Sequence, residues 1–276
     1  MSRIEPTFER LRAGRRKALI PYLTAGDPDP EATVAIMLAM AEAGADVIEL
    51  GVPFSDPMAD GPVIQQASER ALAKGVGLRR VLGFVRDFRA SNARTPIVLM
   101  GYANPIEAMG VEKFIGAART AGVDGVIVVD LPAEEADPFA REAEAAGLDL
   151  VYMVAPTSTP ERVRLIARRS RGFIYMVSLR GVTGERKELP PDLAAQIGAL
   201  RRVTKTPVCV GFGVSTPEQV AAVGRVADGA AVGSAIVRLV EERAGSPSLV
   251  NDVGAFIAEL KAPLRAGLDL AGRKGA

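Results

Sequence analysis

The stretch Asp46-Val47-Ile48-Glu49-Leu50-Gly51-Val52-Pro53 is one of eight short apolar runs that decide the fold. Each run is followed by a polar turn and then by an Ala-rich segment with helical periodicity. The runs that we predict as strands are Ala18–Thr24, Asp46–Pro53, Pro96–Tyr102, Asp124–Asp130, Asp149–Pro156, Gly172–Ser178, Pro207–Gly213 and Asp228–Gly233. Apolar strands that alternate with helices are typical of a parallel sheet covered by helices.

Helical patterns fill the intervals between these runs. Several open with Pro or an acidic residue and close on a glycine, as at Gly44, Gly122 and Gly147. The predicted helices are Glu31–Ala43, Leu78–Ala90, Val111–Ala121, Ala133–Ala146, Pro160–Ser170, Pro191–Val203, Pro217–Val223 and Ser234–Leu239, with Glu5–Arg12 as an extra N-terminal helix and Ser248–Ala271 as a closing helix.

Eight strand–helix units over roughly 250 residues predict an α/β fold of the (β/α)8 TIM-barrel type, preceded by the extra helix. The absence of a linker or low-complexity segment predicts a single domain over residues 1–276. A doubly wound open sheet is the alternative, and it favours a Gly-rich dinucleotide turn after the first strand. That turn is Ala25-Gly26-Asp27-Pro28, which does not match G-x-G-x-x-G.

Composition excludes several kinds of chemistry. The 276 residues include 34 Lys and Arg, 33 Asp and Glu, one Cys and no His, for a net charge of +1. This balance argues against nucleic acid or an anionic membrane as the main partner. A Ser-His-Asp triad, a His-ligated zinc and an internal disulfide cannot form within the chain. The N-terminal segment is charged, and no run approaches the ~18 apolar residues of a membrane span, so we expect a cytoplasmic protein.

Active sites in this fold lie at the carboxyl ends of the strands, where Glu49 is the exceptional side chain. Alternation along its strand places Val47, Glu49 and Gly51 on one face, which we expect to point into the barrel. A buried carboxyl group raises its pKa or finds a donor, so Glu49 is either an acid–base catalyst or a satisfied structural residue. Asp56 and Asp60 follow in a long loop, and their spacing does not distinguish a functional role from a turn-forming one.

Glycine-rich turns follow the last three predicted strands, at Gly181-Val182-Thr183-Gly184, Gly211-Phe212-Gly213-Val214-Ser215 and Gly233-Ser234. Backbone N–H groups in such turns, with the start of the helix at Ser234, can bind a phosphate, although each turn alone also fits simple chain reversal. The eight runs contain no Lys or Arg, which disfavours a Schiff-base aldolase.

Several motifs together identify a family. The segment Ile48-Glu49-Leu50-Gly51-Val52-Pro53-Phe54-Ser55-Asp56-Pro57, followed by Ala59-Asp60-Gly61-Pro62-Val63-Ile64-Gln65, closely resembles the signature of the tryptophan synthase alpha chain family. Further similarities are Pro21-Tyr22-Leu23-Thr24-Ala25-Gly26-Asp27-Pro28, Leu99-Met100-Gly101-Tyr102-Ala103-Asn104-Pro105, Asp130-Leu131-Pro132 and the glycine turns. The resemblance extends from about Phe8 to Leu239.

The resemblance implies a TIM barrel that cleaves indole-3-glycerol phosphate to indole and glyceraldehyde 3-phosphate. It implies no metal or organic cofactor in this chain, and a pyridoxal-phosphate beta chain as the partner in an alpha2-beta2 complex. By similarity, the catalytic residues are Glu49, Asp60 and Tyr175, the substrate contacts are Tyr22, Met100, Tyr102, Ile127, Met153, Thr183 and Phe212, the phosphate contacts are Gly184, Gly213, Gly233 and Ser234, and the partner contacts are Asp56 and Pro57. A flexible lid corresponds to about Leu179–Pro191.

Two features depart from the common family pattern. Tyr22 stands where Phe is frequent, so its hydroxyl group needs a partner at the pocket wall. The lid entry Ser178-Leu179-Arg180 is one of several variants. Three alternative functions are another phosphate-binding barrel enzyme, a non-catalytic ligand sensor that regulates a partner, and a stand-alone indole-releasing lyase. The first of these depends on a His or barrel Lys that the strands lack.

Overall fold

A computed structural model describes residues 2–177, 191–211 and 213–265 of the chain. Within these residues, nine strands form one sheet in which every pair is parallel. They are β1 (Ala18–Thr24), β2 (Ile48–Gly51), β3 (Ile97–Gly101), β4 (Gly125–Val128), β5 (Asp149–Leu150), β6 (Met153–Val154), β7 (Ile174–Val177), β8 (Val208–Gly211) and β9 (Gly229–Val232).

The sheet closes into a barrel through the predicted fifth strand, which is divided into β5 and β6. The order of the strands is β5-β4-β3-β2-β1-β9-β8-β7-β6. Val151 N–H donates to the carbonyl of Val126 on one side, and Tyr175 N–H donates to the carbonyl of Tyr152 on the other, both at 3.0 Å. The two ends of the sheet are therefore joined by the continuous chain at residues 151–152. The TIM-barrel prediction is confirmed, and the open doubly wound sheet is wrong.

Twelve helices lie within the described residues. They are α1 (Ile4–Ala13), α2 (Pro30–Ala43), α3 (Pro62–Ala73), α4 (Leu78–Ser91), α5 (Ala103–Met109), α6 (Val111–Ala121), α7 (Asp137–Ala146), α8 (Pro160–Arg169), α9 (Leu193–Arg201), α10 (Pro217–Val226), α11 (Ser234–Glu242) and α12 (Leu249–Arg265). Within these residues none of the helices has the length and apolar character that crossing a bilayer requires.

The helix boundaries follow the sequence signals. The Asp29 side chain caps α2 by accepting a hydrogen bond from Glu31 N–H, and Pro30 occupies the first helical position. Gly44, Gly122 and Gly147 end their helices in the left-handed conformation, as the sequence predicts. Helices α3 and α5 were not predicted, because each begins inside a Pro-containing loop whose acidic or aromatic residues mask the helical period.

Two apolar layers hold the barrel together. Inward-facing side chains such as Ile20, Val47 and Val98 fill the barrel, whereas Ile48 and Leu50 pack under the surrounding helices. Helix α1 closes the end of the barrel where the strands begin, since Phe8 packs there on Phe173 with ring centroids 5.9 Å apart. The opposite end, where the strands finish, is left for the site.

A buried ion pair joins α12 to the barrel at the closed end. Lys261 Nζ lies 2.5 Å from Asp46 Oδ2 and also donates to the carbonyl of Lys17 at 2.9 Å. The Lys261 side chain is only 5% exposed. A charge this deeply buried needs its partner, so α12 is held to the start of the barrel electrostatically as well as by its apolar face.

Candidate active site

A cavity opens at the carboxyl ends of the strands, where the fold predicts the site. Its volume is about 190 Å³, against the ~10–15 Å³ that one water requires, so it can receive a small organic molecule. Eight of the residues that the sequence singles out line it: Tyr22, Glu49, Asp60, Met100, Tyr175, Gly213, Gly233 and Ser234. The fold thus brings together the carboxylates of the second strand and its loop with the glycine turns of the last strands.

Glu49 lies on β2 and points into the barrel, as the alternation predicts. The residue is 1% exposed, and its Oε2 atom has no hydrogen-bond partner among the described residues. Burial, and to a lesser degree the nearby Asp60 carboxylate, raise the pKa of Glu49 to about 8. Glu49 is therefore mainly protonated at neutral pH, and it holds an unengaged oxygen at the wall of the cavity. A carboxyl group that merely stabilised the fold would have its oxygens satisfied.

Asp60 lies in the loop between β2 and α3, and the side chains of Tyr102 and Gln65 fix its position. Tyr102 Oη donates to Asp60 Oδ2 at 3.1 Å and accepts a hydrogen bond from Ala59 N–H at 3.0 Å. Gln65 Nε2 donates to the backbone carbonyl of Asp60 at 2.8 Å. Burial raises the pKa of Asp60 to about 6, and the hydrogen bond from Tyr102 partly offsets that rise.

The two carboxyl groups therefore differ in charge near pH 7. Glu49, with a pKa of about 8, carries a proton that it can donate, while Asp60, with a pKa of about 6, is ionised and can stabilise a positive charge. Two titratable groups whose pKa values are separated by their surroundings are typical of paired acid–base catalysis. Within the described residues neither group forms an ion pair with Lys or Arg.

Tyr22 forms part of the cavity wall beside Glu49, its register partner on the neighbouring strand. Its hydroxyl group accepts a hydrogen bond from Thr24 Oγ1 at 3.2 Å, which supplies the partner that the Phe-to-Tyr departure requires. The ring crosses directly over Gly51, where a β-carbon would overlap the phenol. Gly211 stands in the same relation to the Tyr175 ring. The lack of a side chain at Gly51 and Gly211 therefore leaves space for the rings of Tyr22 and Tyr175, which line the cavity.

The start of α11 forms the other end of the cavity. The helix begins at Ser234, two residues after β9 ends, and Gly233 is its N-cap. The first N–H groups of a helix have no acceptor within the helix, and the positive end of its dipole points outward from them. This arrangement suits a phosphate group. The helix extends three residues beyond the predicted end, to Glu242.

Sequence reasoning missed several residues of the cavity. They are Arg238 and the first turn of α3, which includes Val63 and Ile64. Arg238 could have been found from its spacing, because it follows Ser234 by four residues and therefore lies on the same face of α11. The α3 residues required recognition of that helix. An arginine at the phosphate end adds a charged donor to the backbone N–H groups that the sequence predicts there.

Three predicted substrate contacts lie elsewhere. Tyr102 contacts the site through Asp60 instead of lining the cavity. Ile127 and Met153 line a neighbouring cavity of about 400 Å³, together with Tyr152 and Val177. Their assignment as substrate contacts stays a prediction. Tyr152 is buried and packs in the apolar core outside the barrel, whereas its neighbour Val151 faces the barrel interior.

The remaining predicted residues fall in two regions. Thr183, Gly184, Phe212 and the predicted lid up to residue 190 lie outside the described residues. Asp56 is exposed and Pro57 is half-buried in the loop after β2, beside Met58, which is 84% exposed. In the described part of the chain, no group of three or more His, Cys, Asp or Glu side chains is arranged to hold a metal ion.

Comparison with known proteins gives a consistent result. The family model for the tryptophan synthase alpha chain matches residues 8–264. The tryptophan synthase alpha chain of Aromatoleum aromaticum is 56% identical over 264 residues, which are 96% of this chain and 97% of that protein. The corresponding protein of Burkholderia thailandensis is 52% identical over 276 residues, the full length of both chains.

Solved structures agree with the sequence matches. The tryptophan synthase alpha subunit of Legionella pneumophila superimposes with a TM-score of 0.88 at 43% identity, covering 96% of this chain and 98% of that one. A chain from a study of the tryptophan synthase a2b2 complex of Pyrococcus furiosus superimposes with a TM-score of 0.82 at 42% identity, covering 89% and 98%. The chain described here therefore belongs to the tryptophan synthase alpha chain family.

Proposed function

We propose that the chain cleaves indole-3-glycerol phosphate through acid–base catalysis by Glu49 and Asp60. Members of the family are carbon–carbon lyases of tryptophan biosynthesis, and this chain is one of them. The observation that carries the assignment of residues is the buried Glu49 carboxyl group, whose Oε2 is unengaged among the described residues at the wall of the cavity.

The cavity orients the substrate because its two ends bind different parts of it, the phosphate group and the indole ring. The phosphate group binds at the start of α11, where Gly233, Ser234 and Gly213 lie, and Gly184 is a further proposed contact. The indole ring lies among Tyr22, Met100 and Tyr175, with Asp60 at the indole N–H. This orientation places the carbon to be protonated at Glu49, and the binding energy of the remote phosphate holds it there.

Cleavage is a retro-aldol reaction in which the substrate supplies its own electron sink. Glu49 donates its proton to C3 of the indole ring, which converts the ring to an indolenine with a C=N bond. Asp60 accepts a hydrogen bond from the ring N–H and stabilises the positive charge that develops there. The resulting carboxylate of Glu49 then removes the proton of the glycerol hydroxyl group on the adjacent carbon. The C–C bond breaks, its electrons enter the C=N system, and the products are indole and the aldehyde of glyceraldehyde 3-phosphate.

This mechanism requires one carboxyl group to serve as acid and then as base. A pKa near the working pH allows both roles, and burial supplies that pKa for Glu49. Positioned proton transfer contributes about 10²–10⁴-fold in rate. Tyr175, Thr183 and Phe212 complete the proposed site, and the geometry of the bound substrate supplies the remaining acceleration. We propose no metal or organic cofactor for this step.

We also propose that the chain assembles with a pyridoxal-phosphate beta chain as an alpha2-beta2 complex and passes indole to it. The support is the loop after β2, which presents the exposed side chains of Asp56 and Met58 beside Pro57 at the rim of the cavity. Met58 is 84% exposed, so its burial against a partner would remove apolar surface from water. The single buried thiol, Cys209, is compatible with the reducing cytoplasm, where we place the complex.

One assay tests both parts of this proposal. The purified chain is given indole-3-glycerol phosphate with and without a beta chain, and indole is measured. We expect slow indole release by the chain alone and a large increase with the beta chain. Release without any response to the beta chain would favour a stand-alone lyase, and the absence of release in both conditions would contradict the proposed activity.

Variants of two exposed apolar side chains localise the interface. Met58→Ser is expected to reduce the stimulation by the beta chain without changing the rate of the isolated chain. Val203→Ser is the control, because Val203 is 45% exposed but follows α9 at the opposite end of the barrel. Equal effects of the two substitutions on stimulation would contradict this interface.

A further inference from the structure

Arg70 lies in the last turn of α3 and joins three elements through one guanidinium group. Its Nε donates to Asp27 Oδ1 at 2.7 Å and its Nη2 donates to Asp27 Oδ2 at 3.0 Å. Its Nη1 donates to Glu241 Oε1 at 2.8 Å. The paired hydrogen bonds to Asp27 are the bidentate geometry that fixes orientation as well as distance. Asp27 is fully buried, so this contact is shielded from solvent.

The three elements that Arg70 connects are the walls of the cavity. Asp27 lies in the turn after β1, the strand that carries Tyr22. Arg70 belongs to α3, whose first turn lines the cavity at Val63 and Ile64. Glu241 lies near the end of α11, whose first turn forms the proposed phosphate site. The guanidinium group is therefore placed to fix these walls relative to one another from outside the cavity.

The position of α3 determines that of Asp60. Gln65, in the first turn of α3, donates from its side chain to the Asp60 carbonyl at 2.8 Å. The N–H groups of Ile64 and Gln65 both donate to the carbonyl of Gly61, the residue after Asp60, at 3.0 Å. A displacement of α3 is thus transmitted through a single turn to the Asp60 backbone.

The position of α11 determines that of the phosphate site. The helix is nine residues long, so a hydrogen bond at Glu241 restrains the whole element, including Ser234 at its start. The planar guanidinium group of Arg70 therefore restrains both helices: its Nη1 atom binds Glu241 of α11, and its Nε and Nη2 atoms fix α3 against Asp27. The distance between the phosphate site and the Asp60 carboxylate depends on both helices.

We propose that Arg70 is a positioning residue that sets the spacing between the phosphate-binding start of α11 and the catalytic loop that carries Asp60. This inference deepens the proposed function, on which it rests. Arg70 acts through α3 and α11 and does not contact the reacting atoms. Its hydrogen bonds to Asp27 fix the position of α3 and therefore of the Asp60 loop, and its hydrogen bond to Glu241 fixes the position of α11 and therefore of the phosphate site.

Two substitutions separate these effects. Arg70→Lys retains the positive charge but cannot reproduce the fork to Asp27, so α3 loses its fixed orientation. We expect kcat to fall about tenfold, since a misplacement of 1 Å can cost ~10²-fold. Glu241→Gln removes the negative charge from the exposed contact and leaves the Asp27–Arg70 pair intact. We expect it to weaken the binding of glycerol 3-phosphate and raise KM about threefold, with kcat nearly unchanged, as suits one partly exposed ion pair.

The control is Glu144→Gln. Glu144 forms an exposed ion pair at 3.1 Å with Arg171, which also joins two elements but lies at the closed end of the barrel. This substitution is expected to leave kcat, KM and glycerol 3-phosphate affinity unchanged. Kinetic constants are expressed per folded molecule, with the folded fraction taken from circular dichroism and the affinity from calorimetry on the full chain.

A merely structural role would lower the folded fraction of Arg70→Lys and leave the kcat of the folded molecules unchanged. That result would overturn the proposal, as would equal effects of Glu241→Gln and Glu144→Gln. The Glu241 variant keeps the test decisive even if Arg70→Lys does not fold. Failure of the proposed function is distinguished by the unsubstituted chain, which would then release no indole, whereas glycerol 3-phosphate affinity still reports on the spacing.

Discussion

Removing the Tyr102 hydroxyl group is expected to shift one limb of the pH profile and leave the other in place. The proposed mechanism requires Asp60 ionised and Glu49 protonated at the start of the reaction. With pKa values of about 6 and about 8, the product of the two fractions is highest near pH 7, at about 0.8. It falls to about 0.1 at pH 5, because Asp60 is protonated, and to about 0.1 at pH 9, because Glu49 is ionised.

The magnitude of the shift follows from the hydrogen bond at 3.1 Å between Tyr102 and Asp60. Donation from the phenol stabilises the ionised carboxylate and therefore lowers its pKa. A hydrogen bond to a charged group contributes roughly 1.5–3 kcal/mol, and water recovers part of it at the half-buried Asp60. Tyr102→Phe is therefore expected to raise the pKa of Asp60 by about one unit, which corresponds to about 1.4 kcal/mol.

The assay is kcat/KM for indole release from pH 5 to pH 9. A rise of one unit lowers the ionised fraction of Asp60 at pH 6 from about 0.5 to about 0.1, so Tyr102→Phe is expected to lose about fivefold in kcat/KM there and almost nothing at pH 8. Titration of the substrate phosphate cancels when the variant is divided by the unsubstituted chain at each pH. Tyr152→Phe is the control, because that buried hydroxyl has no partner among the described residues. A loss that is uniform with pH, or a shift of the alkaline limb alone, would refute the assignment of Asp60.

Three further substitutions test the site and the fold. Asp60→Asn is expected to lower kcat by several orders of magnitude, and an effect confined to KM would reduce Asp60 to a binding role. Gly51→Ala places a β-carbon in the space of the Tyr22 ring and is expected to raise KM; adding Tyr22→Leu should then cost little more, whereas additive losses would mean that the two positions act independently. Lys261→Met leaves Asp46 without its buried partner and is expected to destabilise the fold by about 3 kcal/mol in urea unfolding without changing kcat; a change below ~1 kcal/mol would mean that the pair behaves as a surface pair.

Local patterns in the sequence predicted most of the barrel. The run Ala18–Thr24 coincides with β1, and the other runs contain their strands with at most two extra residues at each end. Several of the extra residues, such as Asp46, Asp124 and Asp228, still donate a backbone hydrogen bond to a neighbouring strand, so the predicted runs include residues that adjoin the assigned strands. The division of the Asp149–Pro156 run into β5 and β6 depends on pairing with two different neighbours, which no local pattern records.

The catalytic side chains were easier to predict than the residues that hold them. Glu49 is conspicuous because alternation directs a carboxyl group into an apolar interior. The choice of Asp60 over Asp56 needed the family resemblance, since both follow the strand at similar spacing. The link from Tyr102 to Asp60 joins side chains 42 residues apart and depends on the curvature of the barrel. Arg70 looks like an ordinary exposed helix residue until the fold brings Asp27 and Glu241 to it.

The measurement that tests the central claim most directly is indole release by Glu49→Gln, with glycerol 3-phosphate binding measured on the same protein. Glutamine retains the shape of the buried side chain but can neither donate nor remove a proton as the carboxyl group does. The account predicts a fall in turnover of at least about 10²-fold, the lower range of positioned acid–base catalysis, with binding within about threefold of the unsubstituted chain. Turnover near that of the unsubstituted chain would contradict it and remove Glu49 from the reaction.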